Sequence, residues 1–103
     1  MSGDRIFVVE EDDTNNAWAQ FRCPGCGQIH MIQIDPEGVE PLWTWNNLKV
    51  LPTFSPSIRV RGTRAGAPFV CHSFVTDGMI QFLNDCTHEL AGQTVPLPEW
   101  GAA

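Results

Sequence analysis

The chain reads as a mainly β, zinc-ribbon-like antiparallel domain with hairpins and one short helical turn. Three observations carry this. Eight prolines and nine glycines scattered through 103 residues leave no room for a long helix. Short runs alternate apolar and polar side chains between closely spaced turn signals, the pattern of half-buried strands. Two of those runs flank a Cys23-Pro24-Gly25-Cys26 turn. One domain is expected at this length, 1–103: a strand and polar turn over 1–16, a zinc-ribbon-like core over 17–92 and an extended tail over 93–103.

In chain order, Ile6 to Glu10 predicts a first strand and the polar 11–16 a turn. Ala17 to Arg22 alternates and leads into Cys23; Gln28 to Ile34 forms the next strand, closed by the Asp-Pro-Glu-Gly turn at 35–38. Leu42 to Trp45 is a short aromatic strand. Pro52 and Pro56 donate no ladder hydrogen bond, so 51–57 is not expected as a central strand. Ser57 to Arg61 alternates again, and 62–68 is expected to be an exposed loop. Asp77-Gly78 between two apolar runs is a strong two-residue hairpin signal. It pairs Thr76 with Met79, Val75 with Ile80, Phe74 with Gln81 and Ser73 with Phe82, then His72 with Leu83 and Cys71 with Asn84. Residues 85–92 carry the capping residues of a helical turn, with Gly92 to end it. The tail to Trp100 holds two prolines and is expected to run as an edge.

Cys23, Cys26, Cys71 and Cys86 are the first pointer to chemistry. The N-terminal MSGDRIFVVEEDD has one Arg and no long apolar stretch, so it does not read as an export signal. The expected compartment is therefore the cytoplasm, where cysteines serve as metal ligands or catalytic groups more often than as disulfides. A C-x-x-C turn brings two thiolates to one side of a tight loop, and zinc takes such sulfurs at about 2.3 Å in tetrahedral geometry. Gly25 and Gly27 can adopt positive φ and aim backbone N–H groups at the sulfurs. Cys71 is the expected third ligand. Extending the hairpin register puts Phe69 opposite Cys86, on the same face as Cys71, which favours Cys86 as the fourth ligand over His88 and His72. His30, four residues past Cys26, is expected to be a structural histidine.

Net charge is −6. Arg59, Arg61 and Arg64 are the only charged residues in 51–75, while 76–103 carries four acids and no Lys or Arg. Any anion site would lie around 59–64, although a short basic cluster on an acidic chain is ordinarily a solvated loop, and an acidic chain is a poor binder of nucleic-acid backbones. No run of about 18 apolar residues exists to span a membrane. His88-Glu89 begins like H-E-x-x-H, but Gly92 stands where the second histidine belongs. Arg22 stands where a zinc deaminase needs a proline before its first cysteine. No G-x-S-x-G, P-loop or dinucleotide fingerprint is present.

The segments CPGCGQIH at 23–30, W-x-W at 43–45, PTFSPS at 52–57 and CHSFVTDGMIQFLNDCTHELAGQTVPLP at 71–98 resemble a family of small uncharacterised proteins common in tailed phages and prophages, often labelled ammonia monooxygenase. The resemblance covers about residues 20–98. It implies a small phage-encoded, zinc-binding domain and supplies no catalytic residues. The expected function is a structural-zinc (Zn2+) module that acts through a protein partner, its four tryptophans available for core and interface. Two alternatives stand beside it: a zinc hydrolase using Asp85, His88 and Glu89, and a nucleic-acid-binding ribbon using Arg59, Arg61 and Arg64.

Overall fold

The computed structural model describes residues 3–10, 17–34 and 43–101. Its strands are β1 (Ile6–Glu10), β2 (Ala17–Arg22), β3 (Ile29–Ile34), β4 (Thr44–Trp45), β5 (Phe54–Arg64), β6 (Ala67–Thr76), β7 (Met79–Phe82) and β8 (Thr94–Pro96). They form two antiparallel sheets, β1-β2-β3 and β4-β5-β6-β7-β8. The expected turns at 11–16 and 35–38, and the start of the aromatic strand at Leu42, lie outside the described residues.

Alternation decides which side chains meet. In β2, Ala17, Ala19 and Phe21 are buried; in β3, His30, Ile32 and Ile34 are. The larger sheet contributes Phe54, Ile58, Cys71, Val75, Ile80 and Phe82 to the same core. Phe21 stacks on Phe54 with ring centroids 6.3 Å apart, joining the two sheets. At about 25 cal/mol per Å² of apolar surface, each buried Phe or Ile adds roughly 1.5–3 kcal/mol. A parallel bridge pairs Ile34, at the end of β3, with Trp43, next to β4.

The Asp77-Gly78 hairpin has the expected register from Thr76–Met79 to Ser73–Phe82. Beyond Phe82 the ladder stops, although Leu83 N–H still donates to His72 C=O at 2.9 Å. The extension that would oppose Phe69 to Cys86 is therefore not made. Thr87 N–H instead bonds Val70 C=O at 2.9 Å.

Two expectations change. Residues 62–68 are not a loop: β5 and β6 run on to a tight turn at Ala65-Gly66, both with positive φ. Nor does Pro56 exclude its segment from an interior strand. Between Phe54↔Val75 and Ile58↔Ser73, β5 spends four residues where β6 spends two. This bulge leaves Ser55–Ser57 out of the β5–β6 ladder, so the missing proline N–H costs no ladder bond. The expected helical turn at 85–92 is a series of turns, closed by Gln93 N–H to Leu90 C=O at 2.9 Å and Gly92 N–H to Phe82 C=O at 3.0 Å. The tail forms β8 at the sheet edge as expected. Among the described residues no helix is long and apolar enough to cross a membrane.

Gly78 and Gly66 give a paired test of the turns. Both sit near φ +80°, where a Cβ costs about 1–2 kcal/mol. A Cβ on Gly66 would enter open space, whereas one on Gly78 would lie 3.3 Å from the Leu51 Cα and the Val50 oxygen. Gly78→Ala is expected to destabilise by at least about 1 kcal/mol more than Gly66→Ala. Urea denaturation of the two variants checks this; equal midpoints would contradict it.

Candidate functional site

The knuckle between β2 and β3 is closed by its own backbone: Cys23 N–H donates to Gln28 C=O and Gly27 N–H to Cys23 C=O, both at 2.9 Å. Gly27 has φ +72°, as its place in the turn requires. Cys71, on β6, reaches the knuckle from the other sheet. The ligand atoms of Cys23, Cys26, His30 and Cys71 lie within 4.8 Å of one another, and all four residues are buried. Cys23 Sγ is 3.6 Å from Cys71 Sγ, and Cys26 Sγ is 3.1 Å from His30 Nε2. Sulfurs on one tetrahedral zinc stand about 3.8 Å apart. The Cys3His group could hold a metal ion.

The charges of the group are compatible with that. Hydrogen bonds from Cys23 and Cys71 hold the Cys26 thiol far below its ordinary range. The same crowding, from Cys23 and Cys26, pushes Cys71 far up. Burial pulls His30 down, but hydrogen bonds and charge from Cys23 and Cys26 outweigh it and hold the imidazole at about 9. Three thiols this close cannot all ionise around one imidazolium. A dication in their midst would remove the conflict and displace the remaining protons.

His30, expected to be merely structural, is thus the fourth member of this cluster, and Cys86 lies beside it. Cys86 Sγ sits in a second group with Cys71 and His88. Its sulfur contacts both His72 N–H and His72 C=O at 3.2 Å. His88 Nδ1 accepts Leu90 N–H at 3.2 Å, so the proton of the neutral ring is on Nε2, which is buried with no hydrogen-bond partner among the described residues. Burial lowers the His88 pKa, in keeping with a neutral ring. That ring lies edge-on to Phe82 and over Gly25, where a Cβ would come 2.3 Å from its Cε1. Close approach, not positive φ, is what requires glycine at 25. Gly25→Ala is expected to displace the pinned ring and lower stability by about 1–3 kcal/mol. A thermal melt at constant metal loading checks this, and an unchanged melting temperature would contradict it.

A second constellation lies on the opposite face of β6. Strand alternation turns Cys71 inward and His72 outward. His72 Nδ1 meets both carboxylate oxygens of Asp85, at 3.0 and 3.2 Å, and His72 Nε2 meets Ser57 Oγ at 3.0 Å. An ionised carboxylate only accepts, so Nδ1 donates to it. Nε2 then holds the lone pair, aimed at the serine hydroxyl. The β5 bulge places Ser57, and Trp43 Nε1–H fixes its carbonyl at 3.2 Å. Asp85 is held near His72 by the backbone bonds on either side of it: Leu83 N–H donates to His72 C=O, and His72 N–H donates to Cys86 Sγ. Imidazole between a hydroxyl and a carboxylate is the arrangement that activates serine for acyl transfer.

Sequence reasoning named His72 and Asp85 and overlooked Ser57, which carries no local motif. Glu89 belongs to neither cluster of potential metal ligands. Arg64 is engaged, donating to Cys26 C=O at 3.2 Å and lying 4.5 Å over Phe69.

Residues 1–83 match the model of a family described as bacterial ubiquitination-like system serine protease (BubE). The matched span holds Ser57 and His72 and stops before Asp85. No curated protein and no solved structure matches.

Proposed function

The chain belongs to the BubE family, and on that premise we propose that it is a serine protease acting on a protein of a bacterial ubiquitination-like system. The line Ser57–His72–Asp85 carries the reading. Ser57 Oγ attacks the scissile carbonyl as His72 Nε2 takes its proton. The tetrahedral adduct collapses; the C–N bond breaks and His72 returns the proton to the leaving amine. Water, deprotonated by the same nitrogen, then opens the acyl-serine ester and restores the hydroxyl. Asp85 keeps His72 in the required tautomer and stabilises the transient imidazolium.

The buried Cys3His group is, on this reading, a structural zinc site. Four protein ligands close a tetrahedral shell and leave no position for substrate. Cys23, Cys26, His30 and Cys71 would hold the ion, which supplies cohesion between knuckle and β6 and takes no part in proton transfer. The protein partner expected from the sequence becomes the substrate. A bacterial setting accommodates the phage or prophage source implied by the resemblance, and reduced thiols fit the cytoplasm.

A fluorophosphonate tests the reading. Ser57 Oγ should displace fluoride and form a phosphonyl ester, found by peptide mass spectrometry on Ser57 alone. No adduct at Ser57 in the metal-loaded chain would overturn the proposal.

A further inference from the structure

We propose that Arg59, extended by Arg61, forms a subsite beside Ser57 for a carboxylate carried by the substrate. The inference rests on the protease reading and names what the site selects. On β5, Ile58 is buried and Val60 half-buried, so Ser57, Arg59 and Arg61 share the outward face. Arg59 stands directly opposite His72 in the ladder. The nucleophile and the first guanidinium are two residues apart, about 7 Å along a strand.

The other described arginines are occupied. Arg5 donates to Leu97 C=O, Arg22 lies over Trp100, and Arg64 bonds Cys26 C=O. Arg59 and Arg61 are exposed and have neither hydrogen bond nor ion pair among the described residues. No acid occurs in 51–75, and Asp85, the carboxylate next to His72, is committed to that imidazole. Two guanidiniums that are unpaired among the described residues thus follow the serine along β5, on a chain of net charge −6. Any extended substrate that presents its carbonyl to Ser57 along β5 lays a group about two residues away over Arg59. Guanidinium matches carboxylate geometry with two parallel hydrogen bonds. The carboxylate is an acidic side chain or a chain terminus.

Three fluorophosphonates of equal arm length, about 7 Å, end in a carboxylate, a neutral amide or an ammonium group. Labelling at Ser57 by any of them supports the protease reading. The order of rates tests the subsite: the carboxylate arm should label the wild-type chain about tenfold faster than the ammonium arm, with the amide between. Arg59→Glu should reverse that order, and half-molar salt should compress it. Equal rates in the wild-type chain, or an unchanged order in Arg59→Glu, would overturn the subsite and leave the protease reading standing. No adduct from any probe would remove both. To separate the two sources, two decapeptides compete against labelling by the neutral probe, one with an internal Glu and amidated ends, one neutral with a free C-terminal carboxylate. The stronger competitor identifies the source; no competition by either would count against the subsite.

Discussion

Ser57→Ala is expected to lower kcat for cleavage of the partner protein by about 10⁴–10⁶-fold, with the melting temperature nearly unchanged. The hydroxyl is only partly buried, so its removal leaves no deep cavity. What is lost is the nucleophile, and among the described residues no other hydroxyl is bonded to the His72 ring to replace it. His72→Ala should fall as far, and the double variant hardly further, because the residues act as a unit. Asp85→Asn should cost less, about 10³–10⁴-fold. Asparagine can donate to Nδ1, which favours the tautomer with the proton on Nε2, where it faces Ser57 and cannot accept the hydroxyl proton. Asp85 is about half exposed, with 49% of its side chain accessible, so water screens its charge and the smaller effect follows. Steady-state kinetics with matched thermal melts decide the matter. A Ser57→Ala variant retaining more than about one-hundredth of the activity would contradict the assignment.

Removing the metal is expected to unfold the chain. Structural zinc contributes about 10 kcal/mol or more in small domains, comparable with the whole stability of a domain this size. Cys71→Ser and His30→Ala should each lose the ion and the cooperative melt, and hydrolysis with them. Cys86→Ser should keep one ion per chain, because Cys86 contacts the His72 backbone and stands outside the Cys3His group. Its serine can bond the same backbone groups, so only a modest fall in kcat is expected. Metal content by plasma emission, measured with melts in the presence and absence of chelator, separates these outcomes. Loss of the ion from Cys86→Ser with retention in His30→Ala would reassign the fourth ligand.

What was legible in the sequence was local. The β-branched and aromatic run at 6–9 placed β1 and alternation placed β2, both to the residue, and Asp77-Gly78 fixed the register of β6 on β7. The C-x-x-C spacing identified half of the Cys3His cluster, and the alternation of β6 separated Cys71 from His72. Cys86 was placed by extrapolating a ladder that ends at Phe82, where the chain turns away. His30 was discounted for its distance from Cys26 along the chain; its pairing with Phe21 in β2 turns it inward to the sulfurs. Ser57 was the least legible. Its position depends on a bulge at Pro56, and the usual reading of proline removes that segment from the sheet. The triad gathers one residue from β5, one from β6 and one from the turn after β7, so no spacing in sequence betrays it.

The neighbouring pair Cys71-His72 ties the two centres to one reading frame of β6. Each can be altered by point substitution without touching the other's side chains. A single-residue insertion or deletion between Pro68 and Val70 leaves no such freedom. It would tend to turn the imidazole into the sulfur cluster and the thiol out towards Ser57 in one step. Length variation in this gene segment should therefore occur in the Ala65-Gly66 turn and in even steps along the strands. An odd change within β6 is a combined null allele for scaffold and chemistry.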